Sequence, residues 1–157
     1  MNVRDIMQSP APHVGPDAKV AEMAREILRS GLPGLAVVDD SGRPIGVVSQ
    51  RDLVAKHARV HLPIYIGFLG YVLPIETRRT DEEMQLVLGV TAADLMEKHF
   101  KEVSPDDDVD DAGTIMVDEK VDLLLVTENK RLVGVLTDTD IIRLLAIEES
   151  DANPPEA

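Results

Sequence analysis

The sequence of 157 residues is long enough for one compact domain or for two small units sharing a core. Its net charge of −13 repels phosphate backbones and anionic lipid, and an aromatic content of 3% leaves few platforms on which bases could stack, so nucleic acid is not an expected partner. The absence of Cys removes disulfides, thiolate nucleophiles and Cys-based zinc sites together, in keeping with a reducing compartment.

No charged segment followed by an apolar run opens the sequence, and a cytoplasmic location is expected from that. Asn2 to Met7 reads as a helical turn, with Asn2 at its cap and Asp5 three positions on. Pro10 and Pro12 impose an extended path, His13 and Val14 begin a short strand, and Pro16-Asp17 opens the next helix. Val20, Met23, Ala24, Ile27 and Leu28 fall on one helical face, and Gly31 ends it where a left-handed cap is expected. Leu35 to Val38 and Ile45 to Val48 read as strands joined by a turn at Asp39 to Gly42. A closing helix runs from Asp52 to about Ala58.

A second passage follows the same plan. Asp5 with Asp94, Met7 with Met96 and Pro16 with Pro105 lie 89 positions apart, and the helical face returns at Val109, Ala112, Gly113, Met116 and Val117. Gly46 and Gly134 lie 88 apart, which places a one-residue deletion between that helix and the next strand. Strands are predicted at Leu123 to Val126 and Leu132 to Leu136. Ile141, Ile142, Leu144 and Leu145 make the last helix strongly apolar, and the acidic tail from Glu148 is expected to be disordered. The domain boundaries are 1–56, an insert at 57–89, 90–147, and the tail at 148–157.

The insert opens with Lys56, His57, Arg59 and His61, read as a solvated basic patch because the His57/His61 pair lacks a third ligand at a recognised spacing. The run from Leu62 to Ile75, broken by Pro63, Gly67, Gly70 and Pro74, is shorter than the roughly 20 residues a membrane span needs. Burial in a homodimer interface is expected for it. Thr80 with Glu83 caps a short helix through Met84, Leu86, Val87 and Leu88. The Asp106-Asp107-Asp108 run lacks the Gly and Glu of a calcium loop and reads as a helix start, and Met23, Met84 and Met116 read as core.

The repeats converge on two heptapeptides, Gly46-Val47-Val48-Ser49-Gln50-Arg51-Asp52 and Gly134-Val135-Leu136-Thr137-Asp138-Thr139-Asp140. In each, a short apolar strand leads into a hydroxyl and, three positions later, a carboxylate. That is N-cap to N3 spacing. Helix capping alone is an adequate account of Ser49/Asp52 and Thr137/Asp140. A strand entering a helix also presents free amides and the positive dipole end, a setting that favours phosphate.

This repeated order, with its heptapeptide signature, resembles the CBS domain, and two in one chain resemble a CBS pair, or Bateman module, from Val3 to Ala55 and Val90 to Ile147. The resemblance implies an α/β (α+β) fold of two tandem β-α-β-β-α repeats packed about a pseudo-twofold axis. It further implies two clefts for adenosine derivatives, AMP, ADP, ATP or S-adenosylmethionine. Asp52 and Asp140 would accept from ribose hydroxyls, and Ser49 and Thr137 would donate to phosphate. The purine would lie near His13, Val14, Leu35 and Ala36 in one repeat, and near Glu102, Val103, Leu123 and Leu124 in the other. The family's usual Pro is replaced by Ala36 and Leu124. Arg51 can pair with phosphate, whereas Asp138 adds negative charge at the corresponding place, so anionic nucleotides are expected to prefer the first site.

No Ser/His/Asp arrangement or catalytic carboxylate pair appears, so a binding module is expected rather than an enzyme, signalling to a separate effector protein. A scaffolding homodimer in which the motifs are only caps, and a divalent-cation sensor, are the alternatives.

Overall fold

The structure is a computed structural model that describes residues 1–59, 64–68, 71–75 and 89–152, with side chains described for 1–55 and 89–147. In chain order come a 3-10 turn at Val3–Asp5, β1 (His13–Val14), α1 (Val20–Ser30), β2 (Gly34–Val38), β3 (Pro44–Ser49) and α2 (Gln50–Arg59). Then come β4 (Ile64–Phe68), β5 (Tyr71–Ile75), α3 (Ala92–Leu95), β6 (Glu102–Val103), α4 (Val109–Glu119), β7 (Leu123–Glu128), β8 (Arg131–Thr137) and α5 (Asp138–Ala152). The expected mixed fold of two tandem repeats is what forms: two three-stranded sheets, ordered β1-β2-β3 and β6-β7-β8, each with a parallel first pair and an antiparallel second pair.

Strand alternation gives each sheet two jobs. Leu35, Val37 and Val48 face α1 in one core with Val14, Met23 and Ile27, and Leu124, Val126 and Leu136 do the same in the other with Val103, Ala112 and Met116. The opposite faces, carrying Ala36 and Val38 from one sheet and Leu125 and Val135 from the other, meet in a third cluster that joins the repeats.

The repeats also exchange their leading segments. Val3 donates its backbone N–H to Asp107 and is fully buried in the second core, while Ala92 donates to Ala18 and is fully buried in the first. Gln8 and Val135 exchange backbone hydrogen bonds at 2.8 and 3.0 Å, matched by Glu97 and Val47 at 2.8 and 3.0 Å. This crossing explains the motif glycines. A Cβ on Gly46 would stand 2.5 Å from Met96 Sδ, and one on Gly134 would stand 2.7 Å from Met7 Sδ and 3.0 Å from the Gln8 carbonyl.

Several expectations need correction. Helix α1 begins at Val20, capped by Lys19, because Asp17 and Ala18 lie in the turn that receives the exchanged segment. Leu28 and Val117 share the periodicity of the core face but are 83% and 76% exposed. The strand registers place the deletion in the β7–β8 turn, since Val37 pairs with Gly46 as Val126 pairs with Gly134. Residues 64–68 and 71–75 pair as antiparallel strands, a backbone pairing that the Pro and Gly of this run did not signal. The Thr80–Leu88 helix, Met84, the side chains of His57 and His61, the covering of the apolar insert and the end of the tail lie outside the described residues.

Other local expectations hold. Gly31 adopts φ 70° as the cap of α1, and Lys120 holds the equivalent left-handed position after α4 at φ 54°. The acidic run is a helix start, with Asp108 accepting from the Asp110 amide at 2.8 Å and held below the usual carboxylate range chiefly by that bond.

Candidate functional site

The two strand-to-helix junctions carry the heptapeptides, and they differ. At the first, β3 ends at Ser49, whose N–H donates to Asp52 Oδ2 at 2.8 Å while the Asp52 N–H donates to Ser49 Oγ at 3.1 Å. This is a reciprocal cap that satisfies two amides. Both residues are half-buried, and Arg51 is exposed on the first turn of α2. Among the described residues, Asp52 Oδ1 has no donor and the Ser49 hydroxyl has no acceptor.

At the second junction the same cap is closed off. Asp140 is only 5% exposed, and its Oδ2 accepts from the Thr137 N–H at 2.9 Å and the Thr137 hydroxyl at 2.7 Å. The Gln8 side-chain amide lies 3.1 Å from both carboxylate oxygens, and Arg143 Nη1 donates to Oδ1 at 3.1 Å. A buried carboxylate is tolerated only when paired in this way. Every acceptor position that a ribose could use is engaged, and the Thr137 hydroxyl proton is spent on Asp140.

The source of the difference is sequence at equivalent positions. Gln8 corresponds to Glu97, which cannot donate to a carboxylate and instead accepts from the His99 backbone N–H, the main reason its carboxyl lies below the usual range. Arg143 corresponds to Ala55. The register also pairs Arg51 with Thr139, and Asp138 with Gln50, which corrects the matching of Arg51 to Asp138. Asp138 turns its Oδ1 to the Thr139 N–H at 2.6 Å.

The residues considered for the purine divide by strand face. Val14, Leu35, Val103 and Leu124 pack inside the helix-facing cores, whereas Ala36 and Leu123 belong to the cluster between the sheets. His13 and Glu102 are exposed at equivalent positions, opposite Ala36 and Leu125 in the parallel registers. Leu125, not Leu124, is therefore the counterpart of Ala36 and stands where the family's Pro would. Gln8, Glu97, Arg143 and Leu125 were not singled out from sequence. The 89-residue spacing flags Gln8 and Glu97 as a pair, but only the exchanged backbone shows which junction each reaches.

The family model of the CBS domain matches residues 3–59 and 92–147. The chain belongs to the CBS-domain family. A protein of uncharacterized function from Methanopyrus kandleri is 26% identical over 130 residues, a match covering 82% of this chain and 55% of that one, so the chain spans about half the length of this relative. The CBS domain pair of protein MJ0100, solved in complex with 5′-methylthioadenosine and S-adenosyl-L-methionine, superposes with a TM-score of 0.71 at 19% identity, covering 94% of this chain and 98% of that one. CBSX2, solved in complex with AMP, superposes with a TM-score of 0.70 at 22% identity, again covering 94% and 98%. The CBS fold is thus shared across the pair. No helix among the described residues is long and apolar enough to cross a membrane.

Proposed function

We propose that this CBS pair is a regulatory binding module. It takes an adenosine-containing ligand, AMP, ADP, ATP or S-adenosylmethionine, at the Ser49–Arg51–Asp52 junction. As a cytoplasmic homodimer, it passes the occupancy of that site to a separate effector protein. One observation carries the choice of site: Asp52 keeps an oxygen and Ser49 a hydroxyl proton without partners among the described residues, while Asp140 and Thr137 have spent theirs on Gln8, Arg143 and each other.

The chemistry follows from those free groups. Asp52 Oδ1 accepts from a ribose hydroxyl, Ser49 donates to a phosphate, and Arg51 supplies the charge on an exposed helix turn. The purine lies along β1 and β2 at His13 and Ala36, where Val14 and Leu35 contribute backbone because their side chains are committed to the core. Ligands bound to the two structural neighbours, AMP in one and 5′-methylthioadenosine with S-adenosyl-L-methionine in the other, support the adenosine class. Allosteric output requires that the ligand bind two states of the module unequally.

A second reading is favoured at Thr137/Asp140, where the closed set of hydrogen bonds is that of a structural cap. There the scaffold alternative holds locally. For the cation-sensor alternative, no group of three or more His, Asp or Glu suited to a metal occurs among the described residues.

A thermal-shift panel of AMP, ADP, ATP, S-adenosylmethionine, GTP and Mg²⁺ tests the reading. Ligand at 100 times its Kd stabilises by about 2.7 kcal/mol, which raises the Tm by roughly 5–11 °C at this chain length. The expected result is a shift with an adenosine ligand that Asp52→Ala abolishes. No shift with any adenosine ligand would leave only the caps.

A further inference from the structure

The segment that crosses over from the second repeat carries a charge toward the open junction. Gln8 and Glu97, 89 positions apart, cross equivalent strands with the same backbone pairing, Gln8 on Val135 and Glu97 on Val47, each at 2.8 and 3.0 Å. From that position the Gln8 side chain comes within 3.1 Å of both Asp140 oxygens. Glu97 has a side chain of the same length, and its backbone stands in the same relation to the strand that ends at Ser49. Its carboxylate therefore has the reach to arrive at the Asp52 junction, where it cannot plug the cap because it has no proton to give.

Glu97 is turned instead to His99, whose backbone N–H donates to Oε1 at 3.2 Å and whose ring Nδ1 lies 3.3 Å away. The two side chains are 67% and 97% exposed, and a pair so open to water holds neither partner firmly. The other charge at this junction is Arg51, exposed on the first turn of α2 and without an ion-pair partner among the described residues. The equivalent places in the closed junction hold Gln8 and Thr139, both uncharged. Beside Asp52, then, the open junction offers a cation and an anion. A phosphate tail satisfies Arg51 but brings negative charge toward Glu97, in a chain whose net charge of −13 already opposes anions. A tail that carries both signs satisfies both residues.

We propose that Glu97 sets the ligand specificity of the Asp52 junction, selecting an adenosine with a sulfonium and an amino-acid tail over one with phosphates. The inference rests on the proposed binding of an adenosine compound at that junction and names which candidate it takes, S-adenosylmethionine. Asp52 Oδ1 accepts from the ribose, while Arg51 and the Ser49 hydroxyl donate to the α-carboxylate. Glu97 leaves His99 and accepts from the α-ammonium beside the sulfonium. That bond is charge-assisted and partly shielded from water by the ligand, so it outweighs the surface contact it replaces.

Isothermal titration of wild type, Glu97→Ala and Asp52→Ala with S-adenosylmethionine, S-adenosylhomocysteine, 5′-methylthioadenosine and AMP tests this, with circular dichroism confirming each fold. S-adenosylhomocysteine lacks only the sulfonium methyl and its charge, and 5′-methylthioadenosine lacks the amino-acid tail. Wild type is expected to bind S-adenosylmethionine about tenfold or more tightly than AMP or 5′-methylthioadenosine, with S-adenosylhomocysteine between them. The sulfonium preference is expected to narrow as salt is added. In Glu97→Ala, S-adenosylmethionine is expected to weaken by about tenfold while AMP holds or tightens. AMP binding as tightly as S-adenosylmethionine in wild type, or an unchanged ratio of the two in Glu97→Ala, overturns the role of Glu97. The adenosine site then still stands if Asp52→Ala abolishes binding. Binding of none of these ligands by wild type, or binding that survives Asp52→Ala, overturns the site and its specificity together.

Discussion

Asp52 and Asp140 occupy the same place in the same motif and do different things because of one residue far away in sequence and one a helical turn on. Gln8 reaches Asp140 across 132 positions, and Arg143 adds a charge that Ala55 cannot supply at the other junction. Removing the Gln8 amide leaves a buried carboxylate short of a donor, so Gln8→Ala is expected to cost about 1–3 kcal/mol in urea denaturation. The equivalent Glu97→Ala, at an exposed side chain, is expected to stay within about 0.5 kcal/mol of wild type. Equal stability of the two variants would contradict the plugged-site account. The caps themselves were legible in sequence, since a hydroxyl and a carboxylate at N-cap to N3 spacing need only local geometry. The unequal occupancy was not, because it depends on which repeat receives the leading segment.

Among the elements, the two exchanged segments and the strands they cross impose the strictest sequence requirement. Gly46 and Gly134 sit under Met96 and Met7, and a Cβ at either would come closer than non-bonded atoms allow. Gly46→Ala and Gly134→Ala are each expected to destabilise by about 1–3 kcal/mol, measured by denaturation, with the larger loss at Gly134 because the Gln8 backbone is also in the way. In Gly46→Ala/Met96→Ala the two costs should fall short of their sum, and full additivity would contradict the packing account. Periodicity located the two long helices and the antiparallel strand pair of each repeat to within a few residues, while the short elements at Ala92–Leu95 and Glu102–Val103 followed only from the repeat. It failed at Leu28 and Val117, since a 3.6-residue period marks an apolar face without saying whether the same chain covers it. It also misplaced the deletion, because either loop flanking β7 satisfies the spacing of the glycines and only strand register separates them.

For the molecule as a whole, the exchange makes two sequence repeats one cooperative unit. Val3 completes the second core and Ala92 the first, while Ala36, Val38, Leu125 and Val135 seal the sheets together. Neither core is complete with its own repeat alone. Unfolding is therefore expected as a single transition with equal calorimetric and van't Hoff enthalpies at fixed protein concentration, and two resolved transitions would contradict the shared core. The twofold plan of the fold was legible from the paired motifs, but the exchange was not, because a repeat in sequence does not specify which copy a segment packs on.

The same plan yields two junctions of unequal chemistry, and the central claim is that only the one at Asp52 is open to a ligand. Isothermal titration of the wild type, Asp52→Ala and Asp140→Ala with AMP and with S-adenosylmethionine tests it most directly. The account predicts one site per chain for an adenosine ligand, lost in Asp52→Ala and kept in Asp140→Ala. Two sites of equal affinity, or binding that survives Asp52→Ala and vanishes in Asp140→Ala, would contradict it.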